Sequence, residues 1–164
     1  ECWDGWWKVG NQKAADRRIW QVHYARVVEN YTMEAGELAA VTGSVEVVSE
    51  RLRGALVRIE AFARRHDLTG FGDAFKTARS CLDSTEPLAA VFHKDIGPQG
   101  VLPLGALRVL AASQAAWVFG GMGSWNDMGF EGEEGKEYAA VSDELFGLLN
   151  RAISAAVNQS APAV

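Results

Sequence analysis

Apolar residues recur through most of the chain at the three- and four-residue spacing of an amphipathic helix. The longest run starts after Ser44, a residue type that caps helix N-termini, and continues to Phe62. Similar runs predict a shorter helix from about Ala74, a helix that begins after Pro103, and a last helix from about Lys136 to Val157. The predicted buried stripes are Val45, Val48, Leu52, Leu56, Ile59 and Phe62; Ala74, Phe75, Ala78, Cys81 and Leu82; Leu104, Leu107, Ala111, Ala115 and Val118; and Tyr138, Val141, Leu145, Leu148, Ala152 and Ala156.

The N-terminal part of the chain is predicted as one more helix, preceded by a tryptophan-rich segment. From about Ala14, residues Trp20 and Val27 fit a helical spacing, and no alternating run is interpreted as a strand. Residues 1–13 show no clean period, so their large rings are expected either to cover an end of the helical core or to form an exposed patch. These rings belong to Trp3, Trp6 and Trp7.

Together these elements predict an all-α protein, an irregular bundle of five or six helices with a long glycine-rich loop before the last helix. A single domain is expected over residues 1–158, with 159–164 as a frayed tail, because 164 residues is an ordinary domain length. With 48% hydrophobic and 23% charged residues, the composition is typical of a soluble globular protein. No apolar run has the roughly 18 residues that a membrane helix needs, so no membrane contact is expected.

The two cysteines, Cys2 and Cys81, are too few for a disulfide framework and lack the spacing of a zinc site. Reduced thiols in a cytoplasmic protein are therefore expected. No cofactor and no metal site is predicted. Because the chain begins at Glu1 instead of Met, a preceding segment is left open, and the oligomeric state is not predicted.

The net charge of −5 is unevenly distributed along the sequence. Residues 1–124 carry equal numbers of acidic and basic side chains, so the whole excess lies in residues 125–164. A chain without a basic stripe is a poor nucleic-acid binder, so no nucleic acid is expected as a partner. The acidic end can meet a basic protein or act as a solubilising surface. Its acidic residues are Asp127, Glu131, Glu133, Glu134, Glu137, Asp143 and Glu144.

The segment that departs from the helical pattern is a glycine-rich loop, predicted at residues 120–135. It holds six glycines among sixteen residues, whereas connections between packed helices usually take about two to eight residues. In a structural interpretation Trp125 plugs the core and its polar neighbours satisfy backbone N–H groups, as Asn, Asp and Ser do in turns. In a functional interpretation the polar residues are ligands beside an exposed Trp125. The structural interpretation is favoured, and the candidate binding residues are Ser124, Trp125, Asn126, Asp127, Glu131, Glu133, Glu134 and Glu137.

The stretch Phe119–Asp127, followed by an acidic spacer and a leucine-rich helix, resembles a family of small bacterial proteins with a Gly-Gly-Met-Gly-Ser-aromatic-Asn-Asp signature. The resemblance covers only the C-terminal part of the chain. It carries over no activity, cofactor or partner. It implies a bacterial origin and makes the loop the first place to look for a site.

One dipeptide, His66-Asp67, is of the kind that helical phosphohydrolases use to hold metal ions. A helix end is a more frequent setting for such a pair, because His interacts favourably with the helix dipole and Asp forms turns. The residues that could complete a metal site are His23, Asp83 and Asp95. No local nucleophile signature accompanies Cys81 or Ser124, so no catalytic residue is predicted.

A small acidic helical protein without a catalytic constellation suits the neutralisation of a basic partner. The sequence therefore favours a non-enzymatic protein-binding module, with an immunity or antitoxin-type protein as its concrete form. The alternative is a small-molecule-binding or metal-dependent hydrolytic enzyme that uses the glycine-rich loop or His66 and Asp67.

Overall fold

The computed structural model describes residues 2–10, 20–28, 43–96 and 102–159. The chain divides into two compact units, Glu1–Leu38 and Ala39–Val164, and each is described by itself. The single domain predicted over residues 1–158 stays a prediction. The tail predicted at 159–164 lies outside the described residues after Gln159.

The N-terminal unit contains a two-stranded antiparallel sheet of β1 (Cys2–Val9) and β2 (Trp20–Val28). The helix predicted from about Ala14 is therefore wrong over β2. Trp7 lies opposite Val22 and Val9 opposite Trp20, with an irregularity between Cys2 and Trp3. The physical reason is the pairing with β1, which selects the two-residue alternation in the first half of β2 over the helical spacing that the same segment also fits. In β2 the alternation sets Trp20, Val22 and Tyr24 against Gln21 and His23.

The second unit is helical, as predicted. Its described residues form four α-helices rather than five or six. They are α1 (Val45–Arg65), α2 (Thr69–Cys81), α3 (Leu104–Ala115) and α4 (Gly132–Asn158), with short 3₁₀ turns at Pro87–Ala90, Lys94–Ile96 and Trp125–Asp127. Helix α1 packs against α2 and α4, and α3 packs against the same two helices, so the four helices close around one core. A mostly helical fold is thereby confirmed, with the β1–β2 sheet as the departure from the all-α prediction.

Helix α1 forms where its sequence predicts. The Ser44 hydroxyl accepts a hydrogen bond from the Val47 backbone N–H at 3.3 Å, which satisfies one of the unpaired amides at the helix start. Arg64 and Arg65 lie in the last turn, where positive charge is favourable to the helix dipole. Every residue of the predicted apolar stripe, from Val45 to Phe62, is buried.

Helix α3 buries only part of the stripe predicted for it, since Ala111 is fully buried. Leu104 is exposed and Leu107 is half-buried, whereas Ala106, Val109 and Leu110 are buried. Small alanines allow close approach on several sides of this helix, so hydrophobic spacing alone does not define its buried face.

Helix α4 begins at Gly132, one turn before the predicted start at Lys136. Its first turn carries Glu133 and Glu134, which are favourable near the positive end of the helix dipole. The glycine-rich loop therefore ends at Glu131, not at Gly135. The predicted apolar stripe of α4 is buried from Val141 onwards.

An ion pair between α1 and the residues after α2 gives the helical unit a specific acid sensitivity. The Arg53 guanidinium donates to both carboxylate oxygens of Asp83 at 2.9 and 2.7 Å, and these hydrogen bonds hold the pKa of Asp83 below its usual range. A carboxyl pKa that is lower in the folded state contributes stability at pH values above the ordinary carboxyl pKa of about 4. That stability is lost as the pH falls through the lowered pKa.

We expect Asp83→Asn to remove this contribution to the pH dependence of the free energy of unfolding, as measured by urea unfolding between pH 7 and pH 2. An acid dependence identical to that of the unmodified protein would contradict the assignment.

Candidate functional site

The loop between α3 and α4 is held in place by Trp125. The Trp125 backbone N–H donates to the Val118 carbonyl at 3.0 Å, and the Trp125 indole N–H donates to the Ser142 hydroxyl at 2.7 Å. The Tyr138 hydroxyl in turn donates to the Trp125 carbonyl. Trp125 is fully buried. These hydrogen bonds and its complete burial fix the position of Trp125 in the loop.

The indole of Trp125 lies in a cluster of aromatic side chains from α1, α2 and α4. Its ring centroid is 5.2 Å from that of Phe71 and 5.3 Å from that of Tyr138. Phe62 in α1 contacts the rings of both Trp125 and Tyr138. The remaining members are Phe75, Phe130 and His66. We call this cluster the aromatic core. Trp125 plugs it, as the structural interpretation predicts, and is not the exposed tryptophan of the functional interpretation.

The carboxylate of Asp127 closes the turn that precedes Trp125. It accepts hydrogen bonds from the backbone N–H groups of Gly123, at 2.6 Å, and Ser124, at 3.2 Å. Gly123 has a φ of +81°, a conformation that glycine adopts without steric cost. Asn126, by contrast, is exposed, and its side chain makes no hydrogen bond to any described residue. Asn126 and Asp127, which were predicted together as capping residues or ligands, therefore differ in role.

We expect Asp127→Ala to lower the free energy of unfolding by about 1 kcal/mol, the usual cost of removing a capping side chain. Asn126→Ala is the matched control and should change it by less than about 0.5 kcal/mol, as substitutions of exposed side chains do. Denaturant unfolding followed by tryptophan fluorescence measures both. Equal losses from the two variants would contradict the different roles.

A surface cleft of about 440 Å³ lies between the loop and α4. On the α4 side, Tyr138, Ser142 and Phe146 follow one another at four-residue spacing, with Asp143 in the adjacent row. Phe119 contributes the wall from the loop. The lining is completed by Asn126 and Ala139.

Two lining residues of this cleft also belong to an aromatic patch, which we define as Trp117, Phe119 and Phe146. The ring centroid of Phe146 is 5.8 Å from that of Trp117 and 5.3 Å from that of Phe119. Trp117 is 43% exposed and Phe146 is 46% exposed. The sequence did not identify this patch. The available signal was the position of Phe146, which lies off the apolar stripe of α4.

The acidic residues predicted as binding residues have different surroundings. Glu137 pairs with Arg65 of α1 at 2.5 Å, and Glu133 pairs with Lys136 at 2.6 Å. The carboxylates of Glu131 and Glu134 make no ion pair or hydrogen bond to any described residue. The same holds for Asp143, in the cleft. Glu144, which was not among the candidates, pairs with Arg58 at 2.6 Å.

His66 and Asp67 lie at the end of α1, as the structural interpretation of this pair predicts. The His66 ring packs between Phe62, at 4.4 Å, and Phe130, at 4.7 Å between ring centroids. Asp67 has a φ of +56°, a left-handed conformation that Asp tolerates better than most residues. Asp83, a candidate further ligand, is held by Arg53.

Other reactive groups in the described ranges are few. Cys81 is buried, and burial raises the pKa of its thiol. Across residues 2–10, 20–28, 43–96 and 102–159, no group of three His, Cys, Asp or Glu side chains is placed to hold a metal ion. In the same part of the chain, no helix combines the length and the hydropathy needed to cross a bilayer.

Comparison with known proteins gives no match, whether to a family model, to a curated protein or to a solved structure.

Proposed function

We propose that the helical unit is a non-enzymatic protein-binding module for a basic partner. The observation that carries this proposal is the aromatic patch, which is partly exposed against the middle of α4 and shares Phe119 and Phe146 with the cleft that contains Asp143. Aromatic residues are enriched in protein interfaces, where truncation of a central Trp costs about 2 kcal/mol or more. The immunity or antitoxin-type role is the concrete form of this proposal.

Charge gives the second support for a basic partner. The excess negative charge of the chain lies in residues 125–164, and the carboxylates of Glu131, Glu134 and Asp143 are without ion pairs among the described residues. Such carboxylates act mainly on the rate of association, through attraction that salt screens over about 8 Å. Glu137 is less suited to this task because it already pairs with Arg65.

The test compares the aromatic patch with a control phenylalanine that is more exposed than the patch itself. Tagged wild-type protein, the Trp117→Ala/Phe146→Ala variant and the Phe92→Ala variant are used to capture proteins from cells of the source organism. Phe92 is 89% exposed, and it lies outside both the cleft and the patch. We expect one basic protein to be retained by the wild type and by Phe92→Ala but lost with the patch variant.

The recovered protein is then purified and its binding is measured directly. We expect the patch variant to weaken binding by at least about thirtyfold, the equivalent of 2 kcal/mol at an interface hot spot. Glu131→Lys/Glu134→Lys should slow association and flatten its salt dependence. An acidic partner, or equal binding by the patch variant and the wild type, would overturn the proposal.

The immunity form has its own test. Co-expression of the chain with the recovered partner should restore the growth of cells that the partner alone arrests. A partner without effect on growth rejects the immunity form and leaves the binding module standing.

A further inference from the structure

The cleft between the loop and α4 has a floor whose hydroxyl protons are already engaged. The Ser142 hydroxyl donates to the Tyr138 carbonyl at 2.6 Å and accepts from the Trp125 indole N–H. The Tyr138 hydroxyl donates to the Trp125 carbonyl. A hydroxyl has one proton to donate, so neither group has a donor left for a ligand. The floor therefore presents apolar surface and hydroxyl oxygens that can only accept, so it offers a ligand no hydrogen-bond donor.

The rim carries two polar side chains, Asn126 and Asp143. Both are exposed, and neither side chain makes a hydrogen bond or an ion pair to another described residue. Asp143 supplies a carboxylate, which accepts hydrogen bonds and attracts positive charge. Asn126 supplies both a donor and an acceptor. The rim is therefore complementary to a ligand that donates several hydrogen bonds and carries a positive charge.

The walls of the cleft are aromatic. Phe119 and Phe146 meet edge to face at 5.3 Å and 78°, and Trp117 extends the apolar surface beyond Phe146. Aromatic faces attract cations, and they also pack against the methylene stem of a long side chain. An anionic ligand would be repelled by Asp143. A purely apolar ligand would gain nothing from the two polar groups of the rim.

We propose that this cleft receives an arginine side chain of a protein partner, with its stem against Phe119 and Phe146 and its guanidinium on Asp143. Arginine fits these features better than lysine. Its guanidinium is planar, is more weakly hydrated than an ammonium, stacks on aromatic rings and bonds a carboxylate through two N–H groups. This inference rests on the proposed function, because it names the residue of the basic partner that the surface recognises.

The test uses the full chain and small probes that represent one side chain. N-acetyl-arginine amide, N-acetyl-lysine amide and N-acetyl-citrulline amide are titrated separately while the Trp117 indole and Asn126 carboxamide signals are followed by ¹H–¹⁵N NMR. Citrulline is the matched neutral probe, since it has the shape of arginine without the charge. We expect saturable shifts for arginine with a Kd on the order of millimolar, weaker binding of lysine and no saturation with citrulline.

Two variants locate the interaction. Asp143→Asn should weaken arginine binding by about two- to fivefold, the range for a solvent-exposed ion pair, and Phe146→Ala should abolish saturation. Asp95→Asn and Phe92→Ala are the matched controls and should bind as the wild type does. A thermal melt of Asp143→Asn should be unchanged, because its carboxylate has no internal partner among the described residues.

The inference is overturned if citrulline binds as arginine does, or if Asp143→Asn binds arginine like the wild type. It is also overturned if the shifts map away from Trp117 and Asn126. Failure of the proposed function is separate. If arginine binds in the cleft but no basic protein depends on the aromatic patch, the binding-module proposal fails alone. If a partner depends on the patch but not on Asp143, the arginine assignment fails alone.

Discussion

Replacing Trp125 by alanine is expected to destabilise the helical unit by about 3–5 kcal/mol, the range for removing a large buried aromatic side chain. The indole is fully buried and contacts aromatic rings from three helices. Its removal leaves a cavity and also frees the Ser142 hydroxyl from its indole partner. A loss of this size is a large part of the 5–15 kcal/mol typical of a whole domain.

Guanidinium unfolding followed by far-ultraviolet circular dichroism measures this loss without relying on tryptophan fluorescence. Trp117→Ala is the matched control, because it removes the same side chain from a half-exposed position in the aromatic patch. We expect it to cost less than about 1 kcal/mol. A Trp125→Ala variant as stable as Trp117→Ala would contradict the plug.

The second large effect is expected for Phe62→Ala, also at about 3–5 kcal/mol. Phe62 is fully buried at the centre of the aromatic core, and its ring contacts Trp125, Phe130 and Tyr138. Aromatic pairs contribute about 0.5–1.5 kcal/mol beyond the area that they bury. The substitution therefore weakens the packing of the loop residues Trp125 and Phe130 as well as the packing of α1.

A double-mutant cycle separates these contributions. Because the two ring centroids lie 6.1 Å apart, Phe62→Ala and Trp125→Ala should be non-additive by more than about 0.5 kcal/mol. Val57→Ala, at an exposed position of α1, is the control and should add its effect independently. Strict additivity between positions 62 and 125 would show that the two rings do not act together. If the double variant does not fold, Phe62→Leu replaces Phe62→Ala in the cycle.

The apolar stripes of helices α1, α2 and α4 could be predicted because local sequence and tertiary packing agree in them. Each helix has one apolar stripe with an unambiguous period, and in α1 a capping serine precedes it. The predicted starts of two helices are wrong, since α2 begins at Thr69 instead of about Ala74 and α4 at Gly132 instead of Lys136. In β2 the local pattern supports two periods. Trp20, Tyr24 and Val27 fit a helix, whereas Trp20, Val22 and Tyr24 fit a strand. The pairing with β1 decides between them, and such non-local pairing is not visible in one segment.

The loop residues and the aromatic patch of the candidate site differed in how far they could be predicted. Trp125 as a plug and Asp127 as a cap follow from residue type and turn chemistry. The aromatic patch depends on where the chain goes after α3 ends at Ala115, because Trp117 and Phe119 must meet Phe146 from another helix. That meeting is a matter of three-dimensional packing. No spacing in the sequence encodes it.

The hydrogen bonds that join the cleft floor to Trp125 set a limit on how this surface can evolve. Substitution of Ser142 or Tyr138 to alter recognition would disturb the indole and so reduce stability. Asn126 and Asp143 are under no such constraint, because their side chains have no internal partner among the described residues. Related chains can therefore diverge in specificity at these two rim positions while they retain the floor, the loop and the aromatic core unchanged.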